Sequence, residues 1–86
     1  MRQVGDIVER FELLSLLGKS GSATLWLARH LQLSTHHAIR FLSAPNPRLK
    51  ERLLREGRIQ ILLKHPNVVA VTDVVQSNGE IGFVLE

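Results

Sequence analysis

Eighty-six residues, 9.7 kDa, accommodate one small domain and leave no room for a second. With 44% apolar and 22% charged residues the chain is globular, and the absence of cysteine removes disulfide frameworks, thiol nucleophiles and cysteine-held zinc. The net charge is +3, and its only dense run of cations, Arg48 to Arg58, also holds Glu51 and Glu56; with one Trp, no Tyr and three Phe to stack on bases, nucleic acid is not an expected partner.

Arg10 to Gly18 reads as a strand ending at a glycine, and Lys19-Ser20-Gly21-Ser22 as a small-residue turn. Ala23 to Arg29 alternates, with Leu25 and Leu27 on one face and Trp26 and Ala28 on the other, so the two strands form a hairpin. Leu31 to Thr35 is a longer connection. His36 to Leu42 is a further strand in which Ala38, Arg40 and Leu42 share a face and His37, Ile39 and Phe41 share the other. Asn46 then suits a helix N-cap and Pro47 the first helical position, predicting a helix from Pro47 to Lys64 that stops before His65-Pro66-Asn67. Val68 to Gln76 and Ile81 to Leu85 are strands joined by Ser77-Asn78-Gly79-Glu80, whose Asn-Gly pair tolerates the positive φ of a type I′ turn. The expected class is α+β: a five-stranded antiparallel sheet with one long helix, in the order β-β-β-α-β-β.

The longest apolar runs, Leu25–Ala28 and Val68–Val71, are four residues each, far below the ~20 of a membrane helix. Met1 to Asp6 has no apolar stretch after its charge, which argues against a secretory signal. The expectation is a cytoplasmic, bacterial-style domain with no membrane partner.

Within the helix, Leu49, Leu53, Gln60 and Leu63 fall in an arc of about 80°, and Glu56 lies in the middle of it. A carboxylate in a stripe that faces a sheet is costly unless a cation meets it, and Arg40 offers one from the neighbouring strand. Two readings stand: an Arg40–Glu56 ion pair between strand and helix, or Glu56 paired with Arg52 on the helix surface, with the helix rolled so that Leu54, Ile61 and Leu62 face inward. Gly57 costs its helix about 1 kcal/mol relative to Ala, and only a close contact accounts for it.

Adjacent His36 and His37 point to opposite faces of a strand, and His30 and His65 lack ligand spacing to them, so the histidines read as solvated rather than as a metal site. No serine sits in a nucleophile elbow. The backbone N–H groups of Gly18-Lys19-Ser20-Gly21-Ser22 suit phosphate or serve as an ordinary turn.

In combination these segments resemble the N-terminal lobe of a protein kinase, in particular the bacterial eukaryotic-like Ser/Thr kinases, over Val8 to Glu86. Leu17-Gly18-Lys19-Ser20-Gly21-Ser22-Ala23-Thr24-Leu25 resembles the glycine-rich loop with its flanking strands. His37-Ala38-Ile39-Arg40 resembles the Val-Ala-Ile-Lys motif, Arg55-Glu56 to Asn67 the C helix with its His-Pro-Asn connection, and Gly82 to Glu86 the strand entering the hinge, with Leu85 at the gatekeeper position. The resemblance implies that Arg40 and Glu56 hold the places of the catalytic lysine and its glutamate partner. It places Leu17, Gly18, Lys19, Ser20, Gly21, Ser22, Leu25, Ala38, Arg40 and Glu86 around ATP, with magnesium as the metal of the parent family.

The departures matter as much. Arg40 replaces a compact ammonium by a planar fork, and Ser20 and Ala23 replace the second and third loop glycines. A His-Arg-Asp, an Asp-Phe-Gly and an activation segment would belong to a C-terminal lobe absent from these 86 residues. The expectation is a single domain over residues 1–86, ending at the hinge. It is inactive by itself, binds ATP weakly at best, and belongs to a kinase or pseudokinase. The alternative is a non-catalytic interaction module. The expected partners are the missing C-lobe, another protein, or a second copy through exposed apolar surface.

Overall fold

In the computed structural model, residues 2–63, 66–67 and 69–86 are described. The expected helix end at Lys64, the histidine of His65-Pro66-Asn67 and the expected strand start at Val68 lie outside them. The elements are β1 (Ile7–Val8), β2 (Phe11–Ser20), β3 (Ala23–His30), β4 (His36–Ser43), α1 (Pro47–Leu62), β5 (Val71–Ser77) and β6 (Glu80–Leu85). The strands form one antiparallel sheet in the order β1-β2-β3-β4-β6-β5. The class is the expected one, but there are six strands rather than five. β1 is two residues long, too short to show alternation, and turns into β2 through Glu9 at φ 52°. The β5–β6 turn holds Asn78 at φ 50° and Gly79 at φ 76°, as the Asn-Gly pair predicts.

Cross-strand partners share a face, so the register divides the sheet into two apolar layers. One face carries Val8, Phe11, Leu13, Trp26, Ala28, Ile39, Phe41, Val75 and Val84, all buried, in the hollow of the curled sheet. Two register shifts in β2 leave Leu14 and Leu17 without partners, and such bulges sharpen local twist. The curl brings the two sheet edges together. Arg10 bonds Asp73, the main cause of its raised pKa, and a Glu9 carboxylate oxygen accepts the Gln76 N–H at 2.6 Å. Arg2 donates to the Ser77 carbonyl at 3.1 Å, pairs with Glu80 at 2.9 Å and lies 3.7 Å from the centre of the Phe41 ring.

The other face carries Ala44, Val71, Ile81 and Phe83 and receives α1 through Leu53, Leu54 and Ile61. Asn46 caps the helix, its Oδ1 accepting the Leu49 N–H at 2.9 Å, and Pro47 occupies the first turn as expected. Gly57 is the buried residue of α1. A Cβ there would stand 2.6 Å from Val74 Cγ2 and 3.0 Å from Phe83 Cε1, which supplies the close contact the sequence demanded. The stripe facing the sheet is therefore Leu53, Leu54, Gly57 and Ile61. It is not the arc around Glu56, and Leu62 and Leu63 are exposed. Gly82 has the same role on the opposite face, where a Cβ would meet Val75 Cγ2 at 2.7 Å and Ile39 and Phe41 at 2.9 Å.

Two of the histidines differ from the expectation of solvated loop residues, while His36 is exposed on β4 and His65 lies outside the described residues. His30 and His37 pack edge-on against Phe11 at centroid distances of 5.2 and 5.6 Å, and His30 Nδ1 accepts the Gln32 and Leu33 N–H groups. Among the described residues no cluster of His, Asp or Glu is placed to hold a metal ion.

Candidate functional site

The face opposite Phe41 carries the residues singled out from sequence. Register places Gly18, Leu25, Arg40 and Phe83 in one cross-strand row, continued by Val74. The next row runs Ser15, Leu27, Ala38, Leu85 and Val71. Leu25, Ala38 and Leu85 therefore form an apolar surface, with the Arg40 guanidinium beside it and the β2–β3 turn at its end. Within that turn Ser20 pairs with Ala23, and Gly21, at φ 58°, and Ser22 close it. A Cβ added at Gly18 or Gly21 would meet nothing within 4 Å, so the turn is open space and not packed protein. Lys19, Ser20 and Ser22 are exposed, and Leu17, at 53% exposure, stands at the unpaired bulge position beside Gly18. Glu86 is exposed, and its N–H donates to the Ala70 carbonyl at 3.0 Å, which holds the end of β6 beside the start of β5.

The Arg40–Glu56 ion pair is not formed. Glu56 is exposed and accepts a hydrogen bond from Gln60 Nε2 at 3.1 Å, one turn along its own helix. The Arg40 guanidinium lies over the Phe83 ring, 5.8 Å from its centre, a separation at which the ring's negative face attracts a cation. The physical reason is Gly57. It lets α1 sit directly on Val74 and Phe83, and this close approach fixes the helix rotation, leaving Glu56 about 100° away around the axis. The rolled alternative is right about Leu54 and Ile61 but not about Leu62, which is 81% exposed. The Arg52 pairing is not formed either: among the described residues the ion pair within α1 is Arg55–Glu51 at 3.8 Å.

Chemically, one face thus offers an apolar patch, the exposed Arg40 guanidinium at its margin and a glycine-containing turn with open space beside Gly18 and Gly21. That combination suits a flat base joined to a polyanion. It provides a roof without a floor, and among the described residues no carboxylate cluster waits for magnesium.

No family model matches the chain. Among curated proteins it is 35% identical over 84 residues to CBL-interacting protein kinase 1 of Oryza sativa subsp. japonica, covering 94% of this chain and 18% of that protein. It is 32% identical over 87 residues to the Ser/Thr protein kinase apg-1 of Neurospora crassa, covering 99% and 9%. The solved kinase domain of Mycobacterium tuberculosis PknI superposes on all of the chain with a TM-score of 0.83 at 21% identity, over 36% of the PknI chain. The fold is that of a protein kinase N-lobe, and over that lobe the sequence is similar to Ser/Thr protein kinases. The N-lobe spans less than a fifth of the curated kinases it matches. No helix among its described residues is long and apolar enough to cross a membrane.

Some residues of this arrangement escaped the sequence reading. Gly82 carried a signal, since a glycine inside a strand marks a close approach of other atoms. Arg2, Glu9, Arg10 and Asp73 carried none, because their partnership depends on the curl of the whole sheet.

Proposed function

We propose that this N-lobe is the ATP-facing half of a cytoplasmic Ser/Thr protein kinase or pseudokinase, and that it is inactive without a C-lobe beneath it. The observation that supports this reading is the register that lays Gly18, Leu25 and Arg40 in one row and Ala38 and Leu85 in the next. ATP in the parent would rest its base against Leu17, Leu25 and Ala38, with the Glu86 carbonyl as an acceptor at the base edge. The N–H groups from Gly18 to Ser22, Lys19 included, would face the phosphates, with Arg40 supplying positive charge. Magnesium ligands would have to come from the other lobe. The separation of Glu56 from Arg40 adds a second reason for inactivity in the isolated lobe.

Calorimetric titration of the chain with Mg-ATP is expected to show binding weaker than millimolar. Micromolar binding would overturn the view that a floor is required. Reading the coding sequence beyond residue 86 for a His-Arg-Asp and an Asp-Phe-Gly would separate a kinase lobe from a stand-alone module. The second reading, a self-associating interaction module, draws on Leu16 and Leu17, adjacent on β2 and 46% and 53% exposed. Sedimentation that shows only monomer at high concentration would remove it.

A further inference from the structure

α1 carries five cations, Arg48, Lys50, Arg52, Arg55 and Arg58, against Glu51 and Glu56. That excess of three is the net charge of the entire chain, so every other segment together is electrically balanced. The cations are not spread evenly around the helix. Arg48, Arg52 and Arg55 lie on the side directly opposite Gly57, and with the single carboxylate of Glu51 they border a surface hollow of about 540 Å³, a net excess of two cations. Further along the same outward side stand Ile59 and Leu62, 54% and 81% exposed, followed by the C-cap Leu63, 62% exposed. The outer stripe is thus cationic over its first two turns and aliphatic over its last.

Neither half suits a helix surface that only meets water. Cations near a helix N-terminus oppose the macrodipole, and α1 has no acidic residue in its first turn to offset them. Arg55 has only the long 3.8 Å contact with Glu51, and Arg48 and Arg52 have no ion pair among the described residues. Three large exposed aliphatic side chains within five residues mark a surface that is covered in use.

We infer that the outward stripe of α1 is a docking surface for an acidic polypeptide segment with an apolar end, its carboxylates meeting Arg48, Arg52 and Arg55 and its apolar residues covering Ile59, Leu62 and Leu63. Charge complementarity selects the acidic partner. The aliphatic half selects polypeptide over nucleic acid, because a phosphate backbone gains nothing from Leu62. This surface lies on the opposite side of α1 from the sheet, so its occupancy is separate from the ATP-facing residues.

The test is fluorescence anisotropy with a labelled synthetic peptide carrying glutamates at one end and leucines at helical spacing at the other. Binding in the micromolar range is expected, weakened at least tenfold by high salt, since exposed charge pairs are screened. Arg48→Glu/Arg52→Glu should weaken it tenfold or more. These substitutions favour the helix dipole, so loss of the fold does not explain the loss, and unchanged circular dichroism verifies this. Leu62→Ser should also weaken binding several-fold. The inference is overturned if the peptide does not bind, if either variant binds it unchanged, or if single-stranded RNA binds equally well and is indifferent to Leu62→Ser, which would make the stripe a phosphate site.

Discussion

Replacing Gly57 by alanine separates two opposite physical outcomes. On an exposed helix face the change gains about 1 kcal/mol, because alanine loses less backbone freedom and shields the helix better. Here the new methyl would lie 2.6 Å from Val74 Cγ2 and 3.0 Å from Phe83 Cε1. Val74 is β-branched and stiff about χ1, and Phe83 is fully buried, so neither moves aside cheaply. Overpacking of this kind costs about 1–3 kcal/mol, and after the propensity gain a net loss of up to about 2 kcal/mol remains. For a domain of this size that lowers Tm by up to roughly 15 °C, readable by thermal circular dichroism. Combining Gly57→Ala with Val74→Ala should cost less than the sum of the two, since the second substitution removes the colliding methyl. A raised Tm for Gly57→Ala would refute the placement of α1 on the sheet, and with it the explanation for the separation of Glu56 from Arg40.

Gly82→Ala meets Val75, Ile39 and Phe41 together with no helix propensity in return, so it should cost more than Gly57→Ala, about 2–3 kcal/mol by chemical denaturation. A double-mutant cycle of Arg40→Gln and Glu56→Gln in the isolated lobe should give a coupling within about 0.3 kcal/mol of zero, and 1 kcal/mol or more would show a pair that the structure lacks. Asn46→Ala removes the acceptor for the Leu49 N–H and should cost ~1 kcal/mol, whereas Asn46→Asp should retain stability. Arg10→Gln breaks the link to Asp73. Because both side chains are more than a third exposed, the loss should stay below about 1 kcal/mol and shrink in high salt; a salt-independent loss would mean that packing dominates there.

Patterns confined to one segment were legible in the sequence. The Asn78-Gly79 turn, the Asn46-Pro47 helix start and the alternation of Leu25 and Leu27 with Trp26 and Ala28 each depend on neighbours a few residues apart, and each is where it was expected. The helix face was not legible. Counting large apolar residues pointed to Leu49, Leu53 and Leu63, whereas the deciding residue was the smallest one, whose absent side chain allows the closest approach. β1 escaped because two residues have no period. The Arg10–Asp73 and Arg2–Glu80 links escaped because they join residues more than sixty positions apart, across a gap that only a curled sheet closes. The rows of the candidate site were half legible: alternation placed Ala38 and Arg40 on one face, but which β6 residues lay beside them required the register.

The clasp between the first residues and the last hairpin bears on how the lobe is made in the cell. Arg2, Glu9 and Arg10 find their partners at Asp73, Gln76, Ser77 and Glu80, so residues on the N-terminal side of the sheet wait for partners synthesised more than sixty positions later. The β2–β3–β4 meander can assemble while translation continues, but its hollow stays unsealed until β6 slots in between β4 and β5. During that interval Phe11, Trp26 and Phe41 face water, which makes the nascent lobe a natural client for chaperones that bind apolar segments.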